Sequence, residues 1–171
     1  SNTVVNGATV VVSPVDFTIT ATYNGKTTSI DTFSCFVDRT IEITADQAKQ
    51  ITTAVVVQPD GSLRHVPTKI TVVAGKYYAV INSLTNSTYT VVWHPIEFSD
   101  AGASWAKDAI NDMGSRMVVT GVGNNNYEPD RDITRAEFAA IVVRAMGLAQ
   151  GKTESCFADV SLSDWFNGFV D

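Results

Sequence analysis

Three residues in the run Ile133–Phe138 have the clearest chemical potential in this chain: Thr134, Arg135 and Glu137. Thr134 and Glu137 have the spacing of a capping box, in which the hydroxyl accepts the N3 amide proton and the carboxylate accepts the N-cap amide proton. Arg135 then lies at the first helical position, beside the positive end of the helix dipole, where a cation is disfavoured. Either a nearby carboxylate pairs with Arg135, or an anionic ligand binds where the guanidinium and the backbone amides converge.

An aromatic and acidic pattern precedes this motif and returns later in the chain. It consists of Phe98, Asp100 and Trp105, and its second copy consists of Phe157, Asp159 and Trp165. The copies are 59, 59 and 60 residues apart, which is the kind of period that indicates a repeat protein. Because one such repeat cannot bury its helical face alone, we expect the second copy, which stops at Asp171, to be truncated relative to a working array.

Helices are predicted to position both patterns. Ser104 is a candidate N-cap, and the apolar stripe that follows it consists of Ala106, Ile110, Met113 and Met117. Residues 121–132 form a polar loop. A second helix is predicted from Thr134 to about Gly147, and its apolar face consists of Phe138, Ile141, Val142, Ala145 and Leu148.

Residues 1–94 are rich in Thr and Val and predict strands. From Asp16 to Tyr23, apolar residues alternate with threonines, and the Asn24-Gly25 pair that follows is a strong hairpin signal. Further strands are predicted at 35–43, 51–58, 69–73, 77–81 and 88–93, with one helical turn at 46–50 and a tight turn at 59–61. This spacing favours an antiparallel sandwich. The fold class predicted is α+β, with a β-sandwich over 1–94, a helical repeat over 95–150 and the start of a second repeat over 151–171.

The ordered pattern from Phe98 to Leu148 resembles an S-layer homology repeat, the module that holds bacterial surface proteins on cell-wall polysaccharide. Two positions depart from the usual pattern. Ala101 stands where a valine is usual, and Trp165-Phe166 replaces the usual Trp-Ala pair in the second copy. The N-terminal half is loosely similar to the β-rich segments that precede such repeats in Gram-positive surface proteins, which indicates a spacer or presentation module.

This resemblance implies a ligand and a set of binding residues. S-layer homology domains usually carry three repeats, and the grooves between the repeats bind secondary cell-wall polymers, typically through a pyruvylated sugar. A ligand role is therefore implied for Arg135, Asp100, Trp105, Asp159 and Trp165. In such a site an arginine binds a carboxylate, a tryptophan stacks on a sugar face and an aspartate accepts from sugar hydroxyls. Trp105 also fits the role of a core anchor.

The composition limits the other classes of function. The formal net charge of −6 argues against a nucleic-acid binder, which usually presents a basic surface. No apolar run approaches the roughly 20 residues of a membrane span. Cys35 and Cys156 form no disulfide framework, although one bridge between them remains an alternative to two unpaired thiols.

Other candidate sites in the sequence are weak. Asn124-Asn125-Asn126 and Asp130-x-Asp132 resemble a calcium loop, but the EF-hand glycine and terminal glutamate are absent, so no metal and no cofactor are expected. His65 and His94 have no nucleophile placed beside them by any motif, and no acid and base pair is evident. Asn86-Ser87-Thr88 is a glycosylation triplet that is also common by chance.

Three hypotheses follow. The first is a non-enzymatic anchoring segment of an extracellular cell-surface or S-layer protein, whose partners are wall polysaccharide and neighbouring repeats, with self-association expected where apolar helix surface is exposed. The second is the accessory C-terminal region of a surface-attached polysaccharide hydrolase. The third is an adhesin whose β domain binds a glycan or a protein.

Overall fold

The computed structural model describes residues 4–5, 7–151 and 157–170. The chain divides into two units, Ser1–Pro95 and Ile96–Asp171, which we call unit 1 and unit 2. Strands account for 39% of the structure and helices for 19%, so the protein consists mostly of antiparallel sheet with few helices. None of the helices in the described ranges has the length and apolar character needed to span a membrane. Cys156 lies outside the described residues, and Cys35 is exposed.

The described residues of unit 1 form ten strands and one short helix. The strands are β1 Val4–Val5, β2 Ala8–Asp16, β3 Thr20–Tyr23, β4 Lys26–Ser29, β5 Thr32–Ile43, β6 Thr53–Val57, β7 Leu63–Val66, β8 Thr68–Val73, β9 Lys76–Thr85 and β10 Thr88–Trp93. The helix α1, Ala45–Gln50, follows β5. It begins with a capping box between Thr44 and Gln47, so the helical turn predicted at 46–50 is present.

All strand pairs in unit 1 are antiparallel. One sheet has the order β1-β2-β10-β6-β7, a second has the order β5-β9-β8, and β3 and β4 form a separate hairpin. A single hydrophobic cluster contains residues from both larger sheets, including Ile41, Val56, Ile81 and Val91. The core of unit 1 therefore draws on strands from both sheets.

The β3–β4 hairpin shows how local chemistry fixes a turn. Asn24 and Gly25 both have positive φ, at 49° and 74°, and Tyr23 pairs directly with Lys26. This is the left-handed geometry that Asn-Gly supplies at low cost, and it matches the prediction. The single strand predicted from Asp16 to Tyr23 is wrong, because β2 ends at Asp16 and β3 starts only at Thr20.

The break between β2 and β3 separates residues that the alternating pattern placed on one face. Phe17 packs on the core and meets the Tyr89 ring edge-on, with centroids 5.8 Å apart. Ile19 and Tyr23 are instead 40% and 80% exposed. The buried end of the pattern is therefore anchored by an aromatic contact, and the rest of it projects into solvent.

Two residues that the sequence left without a role make hydrogen bonds inside unit 1. His65 is 6% exposed, and its Nδ1 lies 2.8 Å from Thr53 Oγ1. Asn86 Oδ1 accepts from the buried Arg39 Nη2 at 2.7 Å, and Asn86 Nδ2 donates to the Ile30 carbonyl at 2.6 Å. The Asn86 side chain therefore ties two loops together.

Unit 2 contains the helices α2 Lys107–Ser115, α3 Arg135–Ala145 and α4 Asn167–Val170. A second hydrophobic cluster lies here, built from Phe98, Ala101, Ile110, Val118 and Val119. Thr134 and Glu137 form the predicted capping box of α3. At its other end, Gly147 has φ 66°, and Leu148 N–H donates to the Val143 carbonyl, which is a Schellman ending.

The start of α2 differs from the prediction. Ala106, not Ser104, is the N-cap, and no side chain caps this helix. Ser104 Oγ accepts from the Ala106 N–H at 3.2 Å and so supports the turn before the helix. Met117 lies beyond the helix with φ 65°, because α2 also closes with a Schellman pattern in which Val118 N–H donates to the Met113 carbonyl.

The predicted apolar face of α3 is largely wrong, because three of its five residues, Phe138, Val142 and Ala145, are exposed. Phe138, Val142 and Met146 are 60%, 38% and 42% exposed and lie four residues apart on one line, which we call the α3 stripe. Ala140 is the buried position of α3, and Ile141 packs against the cluster of unit 2. The helix is therefore apolar on two sides, and the described residues of unit 2 cover only one of them.

Candidate functional site

Asp100 holds the loop that leads to α3. Its Oδ1 accepts from the Tyr127 N–H at 2.9 Å, and its Oδ2 accepts from the Glu128 N–H at 2.7 Å. The hydrogen bond from Tyr127 is the main cause that lowers the pKa of Asp100 below its usual value. Glu128 has φ 59°, a left-handed backbone conformation that residues other than glycine rarely adopt. The Asp100 carboxylate stabilises this conformation by accepting the Glu128 N–H.

The asparagine run beside this loop forms a tight turn. Asn124 and Asn125 have φ of 51° and 60°, and Gly123 pairs with Asn126 across them. Asn125 Nδ2 donates to the Glu97 carbonyl at 2.9 Å, and Ser99 Oγ donates to Asn126 Oδ1 at 2.6 Å. These asparagines thus serve the loop geometry, which is the use that the left-handed tolerance of asparagine permits.

Two further predicted residues, Trp105 and Arg135, are exposed. Trp105 is 99% exposed, so within unit 2 it does not act as a core anchor. Arg135 stands at the first position of α3, and no carboxylate of the described residues lies within salt-bridge distance of it. The sequence offered two explanations for Arg135, a nearby carboxylate or an anionic ligand. The described residues do not supply the carboxylate.

The second copy of the pattern contributes one residue to a pocket. Asp159 is exposed in a turn. Trp165 is 59% exposed, meets the Phe166 ring edge-on with centroids 5.6 Å apart, and meets the Phe169 ring at a tilt with centroids 6.3 Å apart. Of the five predicted site residues, Trp165 lines the pocket described next, and the other four do not.

The pocket in unit 2 has a volume of about 370 Å³. Its wall combines the end of the α2–α3 loop, the inner side of α3 and the Trp165 ring. The charged and aromatic residues that line it are Tyr127, Glu128, Arg131, Glu137, Arg144 and Trp165. Charged groups beside an aromatic face suit a polar ligand that has an apolar side, such as a sugar ring.

Arg131 binds both acidic residues of the pocket. Its Nε lies 2.9 Å from Glu128 Oε2, and its Nη2 lies 2.5 Å from Glu137 Oε1. Glu137 also accepts from the Thr134 N–H and hydroxyl at 2.9 and 2.8 Å. These bonds, that from Arg131 foremost, lower the pKa of Glu137 to about 2. The carboxylate is therefore ionised at neutral pH and joins the loop to the start of α3.

Arg144 has a different environment. It lies in the last turn of α3 and is half-buried, and this burial lowers its pKa. Its guanidinium carbon lies 4.7 Å from the centroid of the Phe169 ring, a cation–π contact. No carboxylate in the described ranges of the chain pairs with it.

Sequence reasoning missed Arg131 and Arg144. Arg131 lies in a loop, where no sequence periodicity indicates which residues are neighbours. Its contact with Glu137 is therefore seen only in the folded structure. Arg144 had a usable signal: seven residues separate it from Glu137, which is about two turns, so both must project from one face of α3.

Residues 97–139 match the S-layer homology domain family. This segment contains Asp100, the α2–α3 loop that Asp100 binds through two hydrogen bonds, and the start of α3. An S-layer homology domain is therefore present in unit 2, as the pattern from Phe98 onwards predicted. The match covers about a quarter of the chain.

Several surface and cell-wall proteins are similar to part of this chain. It is 37% identical over 105 residues to the middle cell wall protein of Brevibacillus brevis, which covers 54% of this chain and 10% of that protein. It is 33% identical over 103 residues to the surface layer protein of Brevibacillus choshinensis, covering 54% and 9%. It is 37% identical over 76 residues to the endo-1,4-beta-xylanase A of Thermoanaerobacterium saccharolyticum, covering 44% and 7%.

The chain thus spans a tenth or less of the length of these relatives. No solved structure gives a significant match. The family match and the surface-protein relatives together support a location at the cell surface and cell-wall anchoring as the general role of this chain.

Proposed function

We propose that this chain anchors a bacterial surface protein non-covalently to the cell wall, without catalysis, by binding a pyruvylated secondary cell-wall polysaccharide through unit 2. The observation that carries this proposal is the pocket in unit 2, where Trp165 from the repeated pattern meets arginine and glutamate side chains of the segment that follows Asp100. An aromatic face and cationic groups are what an acidic sugar requires.

The residues proposed to bind the polysaccharide have different roles. Arg135, exposed at the start of α3, offers a guanidinium beside the backbone amides of the first helical turn to a carboxylate. Trp105 and Trp165 offer exposed ring faces for stacking. Asp100 acts through the loop that it holds, and Asp159, exposed in its turn, is proposed to accept from sugar hydroxyls. The second pattern is proposed to begin a second repeat.

Unit 1 is proposed to be a sandwich-like spacer that presents unit 2. Its two larger sheets contribute to one cluster, and the side chains of Asn86 and His65 make internal hydrogen bonds. The adhesin alternative gives unit 1 a ligand of its own. A glycan array probed with residues 1–95 distinguishes the two, because binding to any arrayed sugar supports the adhesin.

The second candidate function is the accessory region of a surface-attached polysaccharide hydrolase. It is favoured by the similarity to a protein that is named a xylanase, of which this chain covers 7%. In both functions this chain does the anchoring. The complete reading frame of the parent protein decides between them.

Arg135→Ala tests the anchoring proposal. The chain is sedimented with Gram-positive walls that carry a pyruvylated polymer and with the same walls after mild acid has removed the pyruvyl groups. We expect the native chain to bind the untreated walls more tightly than the treated ones, and Arg135→Ala to bind the untreated walls about tenfold more weakly than the native chain, since a charge-assisted hydrogen bond contributes roughly 1.5–3 kcal/mol.

Arg116→Ala is the matched control, because it removes one guanidinium from unit 2 at a site where the guanidinium is already paired with Asp112. Native binding that is equal on both wall preparations contradicts the pyruvylated ligand. Equal binding by the Arg135 and Arg116 variants leaves Arg135 without a ligand role.

A further inference from the structure

The two arginines that line the pocket of unit 2, Arg131 and Arg144, differ in their carboxylate partners. Arg131 faces two carboxylates, those of Glu128 and Glu137, at 2.9 and 2.5 Å. Both of its pairing sides are therefore occupied, and the Arg131 group as a whole carries an excess negative charge. An anion that enters the pocket cannot use Arg131 without displacing one of these carboxylates.

Arg144 is the other guanidinium that lines this pocket. Two features stabilise its positive charge without using its N–H groups: the negative end of the α3 dipole and the face of the Phe169 ring. A guanidinium has five donors, and no acceptor for them is found among the described residues. These donors are therefore available to an acceptor that enters the pocket.

The Trp165 ring gives that acceptor a neighbour. Phe169 contacts both the Arg144 guanidinium, at 4.7 Å, and the Trp165 ring, at 6.3 Å between centroids. The cation and the exposed ring are thus fixed by one buried phenylalanine, which is 8% exposed. A ligand that has a carboxylate on a ring with an apolar face can contact both groups together.

Arg144 and Arg135 cannot serve the same anionic group. Nine residues separate them, which is roughly two and a half turns at about 3.6 residues per turn, so they project from opposite sides of α3. They also lie about 14 Å apart along the helix axis. Any role of Arg144 is therefore independent of the role proposed for Arg135.

The geometry points to Arg144, with Trp165 beside it, as a second and separate binding point for a carboxylate-bearing sugar ring on unit 2. This inference rests on the proposed wall-polymer function. It assigns Arg144 the anionic group and Trp165 the sugar face, while Arg131 and Glu137 keep the pocket wall in place.

The test is a thermodynamic cycle on Arg144 and the carboxylate. Affinity for purified pyruvylated wall polymer, and for the same polymer after its carboxylates have been reduced to alcohols, is measured by titration calorimetry with the native chain and with Arg144→Gln. We expect Arg144→Gln to weaken binding of the acidic polymer roughly tenfold and to bind the reduced polymer as the native chain does, because removing either partner removes one and the same contact. Arg116→Gln is the charge-matched control, expected to bind both polymers like the native chain.

Each other outcome has a meaning. Native chain that binds neither polymer overturns the wall-polymer function and this inference together. Native binding with equal losses for Arg144→Gln on both polymers, or with no loss, overturns the inference alone. Inorganic phosphate that displaces the acidic polymer better than acetate assigns the site to phosphate and also overturns it. If Arg144→Gln fails to fold, Arg144→Lys decides: it keeps the charge but loses the two-pronged geometry, so intermediate affinity for the acidic polymer supports the inference and unchanged affinity contradicts it.

Discussion

The carboxylate of Glu137 links the start of α3 to the loop before it. It accepts from Thr134 within the capping box and from Arg131 outside it. Arg131 continues the chain of contacts to Glu128, whose N–H is held by Asp100. Two residues of the sequence pattern, Asp100 and Glu137, are therefore joined by one polar path that shapes the pocket wall.

The stability of unit 2 is expected to depend on acid through Glu137. Its pKa in the folded state, about 2, lies below the ordinary value of 4.5. A carboxyl whose folded pKa is depressed stabilises the fold above its unfolded pKa, and that contribution is lost as pH falls through the folded value. We expect the unfolding free energy to decline between pH 4.5 and about 2, as measured by denaturant titration at each pH.

Glu137→Gln is the variant that isolates this effect. The amide keeps the shape but not the charge, so the variant should be less stable at pH 7 and less sensitive to pH in that window. Glu97→Gln is the control, since Glu97 is 77% exposed with a partner 3.6 Å away. An acid profile of Glu137→Gln that parallels the native one would show that other carboxyls cause the decline.

The sequence predicted side-chain contacts between residues up to four positions apart, and it missed contacts between residues farther apart in the chain. The Thr134 to Glu137 box was predictable because its geometry is local. Arg131 and the hydrogen bonds of Asp100 depend on a loop that folds back over 27 residues, which no period encodes. The predicted ligand residues Trp105 and Arg135 were placed by resemblance, and their binding role stays a prediction.

In helix α2, Gly114 is a glycine whose replacement by alanine is not expected to stabilise the protein, although such a replacement in a helix usually does. A Cβ on Gly114 would lie 2.7 Å from Phe98 Cε2 and 3.1 Å from Ile96 Cγ2. In an exposed helix, replacing glycine by alanine stabilises by about 1 kcal/mol. Here Phe98, a buried residue of the cluster in unit 2, occupies the space, so the helix propensity and the packing oppose each other.

Gly114→Ala is expected to destabilise unit 2 by about 1–2 kcal/mol, because overpacking of a core costs roughly 1–3 kcal/mol and exceeds the helical gain. Chemical denaturation measures the change. Gly102→Ala is the matched control, since its Cβ would meet nothing within 4 Å and should leave stability nearly unchanged. A stabilised Gly114→Ala protein would mean that Phe98 moves aside without cost.

The elements themselves were partly predictable. The hairpin at Asn24-Gly25, the α1 turn and the α3 capping box follow from residue types at fixed offsets. The break after Asp16 was not predictable from alternation, because Phe17 leaves the strand to meet Tyr89, 72 residues later in the chain. Tertiary packing overrides a period wherever one large side chain finds a core.

For the whole chain, composition predicted a change from strand to helix near residue 95, and unit 1 ends at Pro95. The strand order β1-β2-β10-β6-β7 lay beyond sequence reasoning, since β2 pairs with β10 across more than 70 residues. Alternation tells which side chains share a face, but not which strand lies beside which.

The α3 stripe leads to a prediction about association. Phe138, Val142 and Met146 present apolar surface on one line of a helix, and each is more than a third exposed within unit 2. In a protein with further repeats, we propose that a neighbouring repeat covers this line. Where nothing else covers it, two copies of the chain can remove it from water by apposing their stripes, since apolar burial contributes about 25 cal/mol per Å².

We therefore expect the apparent mass measured by light scattering to rise with protein concentration, and Phe138→Asp to suppress that rise by placing a charge in the middle of the contact. Tyr23→Asp is the matched control, because Tyr23 is an exposed aromatic on unit 1, at 80%, and its replacement should leave association unchanged. A native chain that stays monomeric at high concentration contradicts the prediction. Association that Tyr23→Asp abolishes and Phe138→Asp does not would move the contact from α3 to the β3–β4 hairpin, because each variant introduces the same charge on a different unit.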